Sequence, residues 1–140
     1  MEVIFQHPNV TVSFNEEKGY LRLDWRENPP IDVYKEALMS CLPIIEEHQL
    51  HDFLIDQSAL NFVGSEAQAW LSVVWFGKLD KILKKDIHFA IIASKKLFVT
   101  LASKVVAKRI DNSHKNYTIQ YFDDETLALQ WLNSALKANI

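Results

Sequence analysis

Three features of this 140-residue chain predict an α/β fold with a single mixed sheet. Near the N-terminus, two short segments of alternating apolar and polar residues flank a link that contains a glycine. In the middle stand two short, almost wholly apolar runs, "FLI" at 53–55 and "IHFAIIA" at 87–93. Between and beyond these runs, apolar residues recur at helical spacing. Half-exposed strands alternate with a period of two, whereas strands buried on both faces read as continuous apolar runs. The pattern is an antiparallel hairpin followed by alternating strands and helices. Right-handed crossovers lay such a chain out as one sheet with helices packed on it.

Each element follows from its residues. "NVTVSF" (9–14) sets Val10, Val12 and Phe14 on one side and Thr11 and Ser13 on the other. "YLRLDW" (20–25) does the same with Leu21, Leu23 and Trp25 against Arg22 and Asp24. The link "NEEKG" brings Gly19 to the turn of a hairpin. Pro29 and Pro30 end the second strand, since neither can donate to a ladder. A helix follows over 32–49, with Asp32 at its start and an inner stripe of Tyr34, Leu38, Cys41, Leu42 and Ile45. The apolar runs at 53–55 and 87–93 are central strands, followed by helices over about 65–84 and 96–110. "YTIQYF" (117–122) is an edge strand, and the helix over 123–138 opens on acidic residues that suit its dipole.

The length suits one domain over 1–140, and 49% apolar with 24% charged residues excludes a disordered chain. The first residues lack the basic region and apolar run of a signal peptide. No stretch reaches the roughly 18 apolar residues of a membrane span. The lone Cys41 has no partner for an internal disulfide. A cytoplasmic protein is expected. The net charge of −3 hides an asymmetry: residues 1–77 carry 4 basic and 12 acidic side chains, whereas residues 78–115 carry 10 basic and 3 acidic. The basic block lacks interleaved aromatics, so it reads as the solvated faces of two helices rather than a nucleic-acid surface.

Residues 52–71, "DFLIDQSALNFVGSEAQAWL", run a strand into a polar loop from Asp56 to Glu66 and then into a helix. Ser65 and Gln68 have the spacing of a capping box, with Gly64 turning the chain just before it. Here the chain resembles the STAS domain of sulfate transporters and bacterial anti-sigma-factor antagonists, and more closely the divergent bacterial STAS-like proteins. The family's segment is D-x-S, an apolar pair, then D-S-S-G or D-S-T-G opening a helix. Asp56 and Ser58 match D-x-S, and Phe62 and Val63 match the apolar pair. The hydroxyl pair falls on Ser65 and Glu66, with Gly64 and Ala67 departing from the motif. In the antagonists a kinase phosphorylates a hydroxyl of this segment. With Glu66 already placing a negative charge there, the resemblance implies a module without that switch.

The helix over 65–84 is more apolar than packing on a sheet requires. On an unbroken helical wheel Ala67, Trp70, Leu71 and Val74 share one face, Val73, Phe76 and Leu83 fall on the other, and Trp75 lies between. A neighbouring helix of the same chain would cover this surplus; otherwise Val73, Trp75 and Phe76 are expected outside, where a two-fold homodimer or a protein partner would cover them. His48 and His51 stand three apart beside Asp52 without a third ligand, so no metal is expected. Cys41 reads as core packing, with no His and acid placed to activate it. There is no G-x-S-x-G elbow, no G-x-G-x-x-G and no P-loop. The expectation is a non-enzyme without a cofactor: a regulatory or protein-interaction module. Its docking residues would be Asp56, Ser58, Ser65, Glu66, Trp75 and Phe76, and its partner a regulatory kinase, an anti-sigma-like protein or a second copy. The alternative is a carrier of a small apolar ligand or lipid, which the resemblance admits because some STAS-like proteins are grouped with Sec14-type lipid-binding domains. A cavity of a few hundred Å³ between sheet and helix would mark the carrier. A flat apolar patch beside Ser65 would mark the interaction module.

Overall fold

A computed structural model describes residues 1–94 and 117–138. Among them one sheet runs in the order β1 (Glu2–His7), β2 (Val10–Asn15), β3 (Tyr20–Glu27), β4 (Asp52–Leu60), β5 (Ile87–Ile92) and β6 (Tyr117–Phe122). β1, β2 and β3 are antiparallel neighbours, and from β3 to β6 every pairing is parallel. The mixed sheet is the one expected. Helix α1 (Ile31–His48) joins β3 to β4. Between β4 and β5 lie α2 (Ser65–Trp70), a π-helical turn (Leu71–Trp75) and α3 (Phe76–Ile82). Helix α4 (Glu125–Ala138) follows β6. The helix expected over 96–110 lies outside the described residues.

Local chemistry fixes the boundaries. At the β2–β3 turn, Gly19 adopts φ 74° and its N–H donates to the Asn15 carbonyl at 2.8 Å. A side chain at that φ would be strained. β3 ends at Glu27, whose φ of 57° turns the chain toward Pro29 and Pro30. α1 buries Tyr34, Leu38, Cys41 and Ile45 of the predicted stripe and Ala37 besides, while Leu42, also predicted inside, is half-buried.

Two strand boundaries differ from the sequence reading. β1 was not expected, because Val3, Ile4 and Phe5 do not alternate. A bulge between Val3 and Phe5 accounts for this: the register steps from Val3↔Ser13 to Phe5↔Val12. β4 extends to Leu60, well past the apolar run that announced it, because "DQSAL" continues to pair with β3 through Asp24↔Asp56 and Glu27↔Leu60. The loop expected over 56–66 shrinks to residues 61–64.

The capping box is also corrected. The helix is capped by Gly64, whose carbonyl accepts the Gln68 N–H at 3.0 Å, and no side chain caps it. Gln68 Nε2 donates instead to the Val63 carbonyl at 2.7 Å, which leaves exposed Ser65 as the first helical residue.

The two sheet faces are covered separately. On the front, Val12, Leu23, Phe53 and Phe89 meet α1, α2, the π turn and α3 in the larger core. On the back, Tyr20, Leu54, Ala90 and Ile92 meet Ala128 and Leu132 of α4.

Candidate functional site

Among the described residues, the front layer does not close completely. Between the sheet, α1, the π turn and residues 61–64 lies a cavity of about 590 Å³. Its floor includes Leu23, Phe53 and Phe89, and its walls include Leu38, Trp75 and Phe76. Phe53 and Phe89 are directly paired across β4 and β5, and their rings stack 5.0 Å apart. Phe76 stands edge-on to Phe89 at 5.9 Å. Residues 61–64 are held at the mouth because the Asn61 and Phe62 N–H groups both donate to the Glu27 carbonyl, at 2.8 and 3.3 Å.

The π turn gives this wall its shape. Phe76 N–H donates to the Leu71 carbonyl, five residues back. Among the side chains turned toward the core, Ala67, Leu71, Trp75, Leu79 and Leu83 form a row spaced by four. In an unbroken α-helix each step of four drifts about 40° around the axis, so such a row would wind off the sheet. One wide turn takes out most of that drift, and π turns recur at functional sites. Trp75 is brought inside, only 3% exposed, where its Nε1–H donates to the Leu38 carbonyl at 2.7 Å.

The outward surplus expected from the wheel is therefore corrected. Trp75 is core, Phe76 is half-buried on the cavity wall and Leu83 is buried. Val73 alone of the three expected outside is exposed, at 75%. A self-complementary patch centred on Trp75 loses its basis.

The other docking residues are divided between the two faces. Asp56 is half-buried on the back of β4, and its Oδ1 accepts both the Ser58 N–H at 2.9 Å and the Ser58 hydroxyl at 2.6 Å. Its Oδ2 lies 3.5 Å from Arg22, which also pairs with Asp24 at 3.0 Å and Glu125 at 2.9 Å. Asp56 is thus a member of an ion cluster joining β3, β4 and α4. Ser65 and Glu66 are exposed in the first turn of α2, beside the front cavity.

Titratable groups follow their surroundings. Burial pushes the Cys41 thiol up to about 12, with a hydrogen bond to Ser40 opposing. Its Sγ lies 3.4 Å from the Ala37 carbonyl, and this protonated thiol lines the cavity as an apolar surface. Burial likewise raises Tyr121 on the cavity rim. On the back face Asp52 Oδ1 and His88 Nδ1 lie 3.2 Å apart, both buried. Burial raises the Asp52 pKa, and His88 offsets part of the rise.

Sequence reasoning held such a cavity as the mark of its alternative, the carrier, but did not name Gln57 or Tyr121 among the residues lining it. In β4 the front positions run Phe53, Ile55, Gln57, and in β6 Tyr117, Ile119, Tyr121. Gln57, a polar residue where the alternation calls for an apolar one, faces the cavity, as does Tyr121.

No family model matches the chain, and no curated protein does. Solved structures do. An uncharacterised protein of the DUF3478 family with a SpoIIAA-like fold, from Shewanella loihica PV-4, superposes with a TM-score of 0.58 at 19% identity, over 88% of this chain and 91% of that one. An anti-sigma factor antagonist from Mycobacterium paratuberculosis superposes with a TM-score of 0.53 at 17% identity, over 92% of this chain and 99% of that one. The fold is SpoIIAA-like. This is the STAS-like architecture that the "DQSALNFVGSEA" segment suggested. At these identities the likeness establishes the SpoIIAA-like fold, and function rests on the site. Among the described residues, no helix is long and apolar enough to cross a membrane.

Proposed function

We propose that this SpoIIAA-like domain is a non-catalytic module that binds a small, largely apolar molecule between its sheet and its front helices. The observation that carries the reading is the cavity of about 590 Å³ lined by Phe53, Phe76 and Phe89. That volume falls within the range of small-molecule sites, which are typically apolar with a few placed polar groups. It also opens near the carboxyl ends of the parallel strands, where ligands of open α/β sheets bind. The test uses Nile red, a neutral dye that fluoresces in apolar surroundings. Saturable one-site binding is expected, with energy transfer from Trp25 and Trp75, which line the cavity. Ser72→Phe, at an exposed position on the rim, should fill the space and abolish that binding while the fold is retained. Unsaturable binding, or equal binding by the variant, would remove the reading.

The second reading is a regulatory protein-interaction module. Its support is the exposure of Ser58, Ser65 and Glu66 together with the fold shared with an anti-sigma factor antagonist. Ser65 gives a clean probe because its hydroxyl caps nothing. Ser65→Ala is expected to change stability by less than about 0.5 kcal/mol, as surface substitutions do. If the surface docks a partner, a protein retained by the immobilised parent from a lysate of its host should be lost from the Ser65→Ala, Glu66→Ala double variant. Identical retention by the two would dismiss Ser65 and Glu66 as docking residues.

A further inference from the structure

From the lining of the front cavity, we infer that its ligand is an uncharged amphiphile, with its polar end at the Gln57–Tyr121 rim and its apolar body over Phe53 and Phe89. This rests on the reading of the cavity as a ligand site. Although 24% of the chain is charged, none of the described residues lining the cavity bears a formal charge. A carboxylate or ammonium held there would be stripped of water without a described counter-ion, which is costly. A neutral head avoids that cost.

The polar groups present are of the matching kind. The Gln57 amide and the Tyr121 hydroxyl are half-buried at the rim, and neither side chain hydrogen-bonds to a described protein group. An amide offers a donor and an acceptor, and a phenol offers both. Gln68 on the same lining has one amide hydrogen committed to the Val63 carbonyl, and its oxygen remains as an acceptor. With hydrogen-bonding capacity left over at the rim, these groups suit a hydroxyl, amide, ester or ketone. Apolar and polar ends are separated along the strands. Phe53 and Phe89 pair deep in the sheet, whereas Gln57 lies four residues further along β4, about 13 Å at the usual strand rise. Tyr121 pairs with Ile91, near the same end. The ligand is therefore oriented along the strands, head toward their carboxyl ends.

Three probes with one tail and different heads test this: 1-octanol, octanoate and octylammonium, each titrated against protein-bound Nile red at neutral pH. The expected result is displacement by octanol at a concentration at least about tenfold lower than for either charged probe, in keeping with the cost of an unpaired buried charge. Gln57→Lys supplies a cation at the rim and should turn the preference toward octanoate. Displacement by octanoate or octylammonium in the parent as effective as by octanol overturns the inference while leaving the ligand site intact. Failure of Nile red to bind at all removes the site itself and the inference with it. Should Gln57→Lys not fold, the ranking of the three probes on the parent decides alone.

Discussion

Trp75→Ala is expected to lower the free energy of unfolding by about 3–5 kcal/mol, the range for truncating a large buried aromatic side chain. Three observations set that size. Trp75 is 3% exposed, its ring stands edge-on to Phe76 at 5.3 Å, and its Nε1–H is committed to the Leu38 carbonyl at 2.7 Å. The last contact ties the π turn to α1, so truncation removes both packing and the link between the two front helices. Trp75→Phe separates these contributions. It keeps most of the apolar area and gives up the hydrogen bond, for a loss nearer 0.5–1.5 kcal/mol. Urea denaturation followed by circular dichroism measures both variants. A loss below about 0.5 kcal/mol for Trp75→Ala is what an exposed residue would give. It would return Trp75 to the surface, among the docking residues expected from the sequence.

What the sequence revealed about the fold, and what it hid, divides along periodicity. Where the backbone keeps a regular period, side-chain patterns report burial directly: Val10, Val12 and Phe14 on β2, and Leu38, Cys41 and Ile45 on α1, all lie inside. Where one residue is inserted, the phase shifts and the pattern misleads. The bulge near Ile4 hid β1, and the wide turn at Leu71–Trp75 carries Trp75 inward from the flank where the wheel places it. Both insertions are set by tertiary packing, which no local pattern encodes. β4 beyond Ile55 was hidden for a different reason. Asp56 and Ser58 look like loop residues, yet the back face there is polar because Arg22 pairs with Asp56, which in turn accepts the Ser58 hydroxyl. The candidate site was legible as an alternative, a cavity between sheet and helix, and as a misfit, Gln57 standing where an apolar residue should be. A cavity is a property of how far apart helices and sheet stand, and single-residue patterns carry no information on that spacing.

The back-face cluster supplies the other large effect: Arg22→Met should destabilise the protein by about 1–3 kcal/mol at neutral pH, and by much less in acid. Arg22 lies among three carboxylates, and its side chain is 18% exposed, against 27% for Asp24, 20% for Asp56 and 52% for Glu125. Burial acts to lower the Arg22 pKa, but hydrogen bonds and charge from Glu125 and Asp24 outweigh it and hold it above the ordinary value. Removing the cation leaves Asp24 and Asp56 facing each other across paired strands with Glu125 close by. Breaking a fully buried pair costs about 3–5 kcal/mol, and the partial exposure here reduces that through solvent screening. Asp24 already titrates above its ordinary 3.8, mainly because of burial, and Arg22 is the chief group holding it down. Without Arg22 its folded pKa rises further. A carboxyl whose folded pKa lies above its unfolded value favours folding below the unfolded value, and that contribution disappears as pH climbs through the folded pKa. The gap between parent and variant should therefore be small near pH 3.8 and below, and widen toward neutrality. Urea midpoints for both proteins across that window measure it. A gap that stays constant with pH would assign the loss to the packing of the arginine stem rather than to its charge.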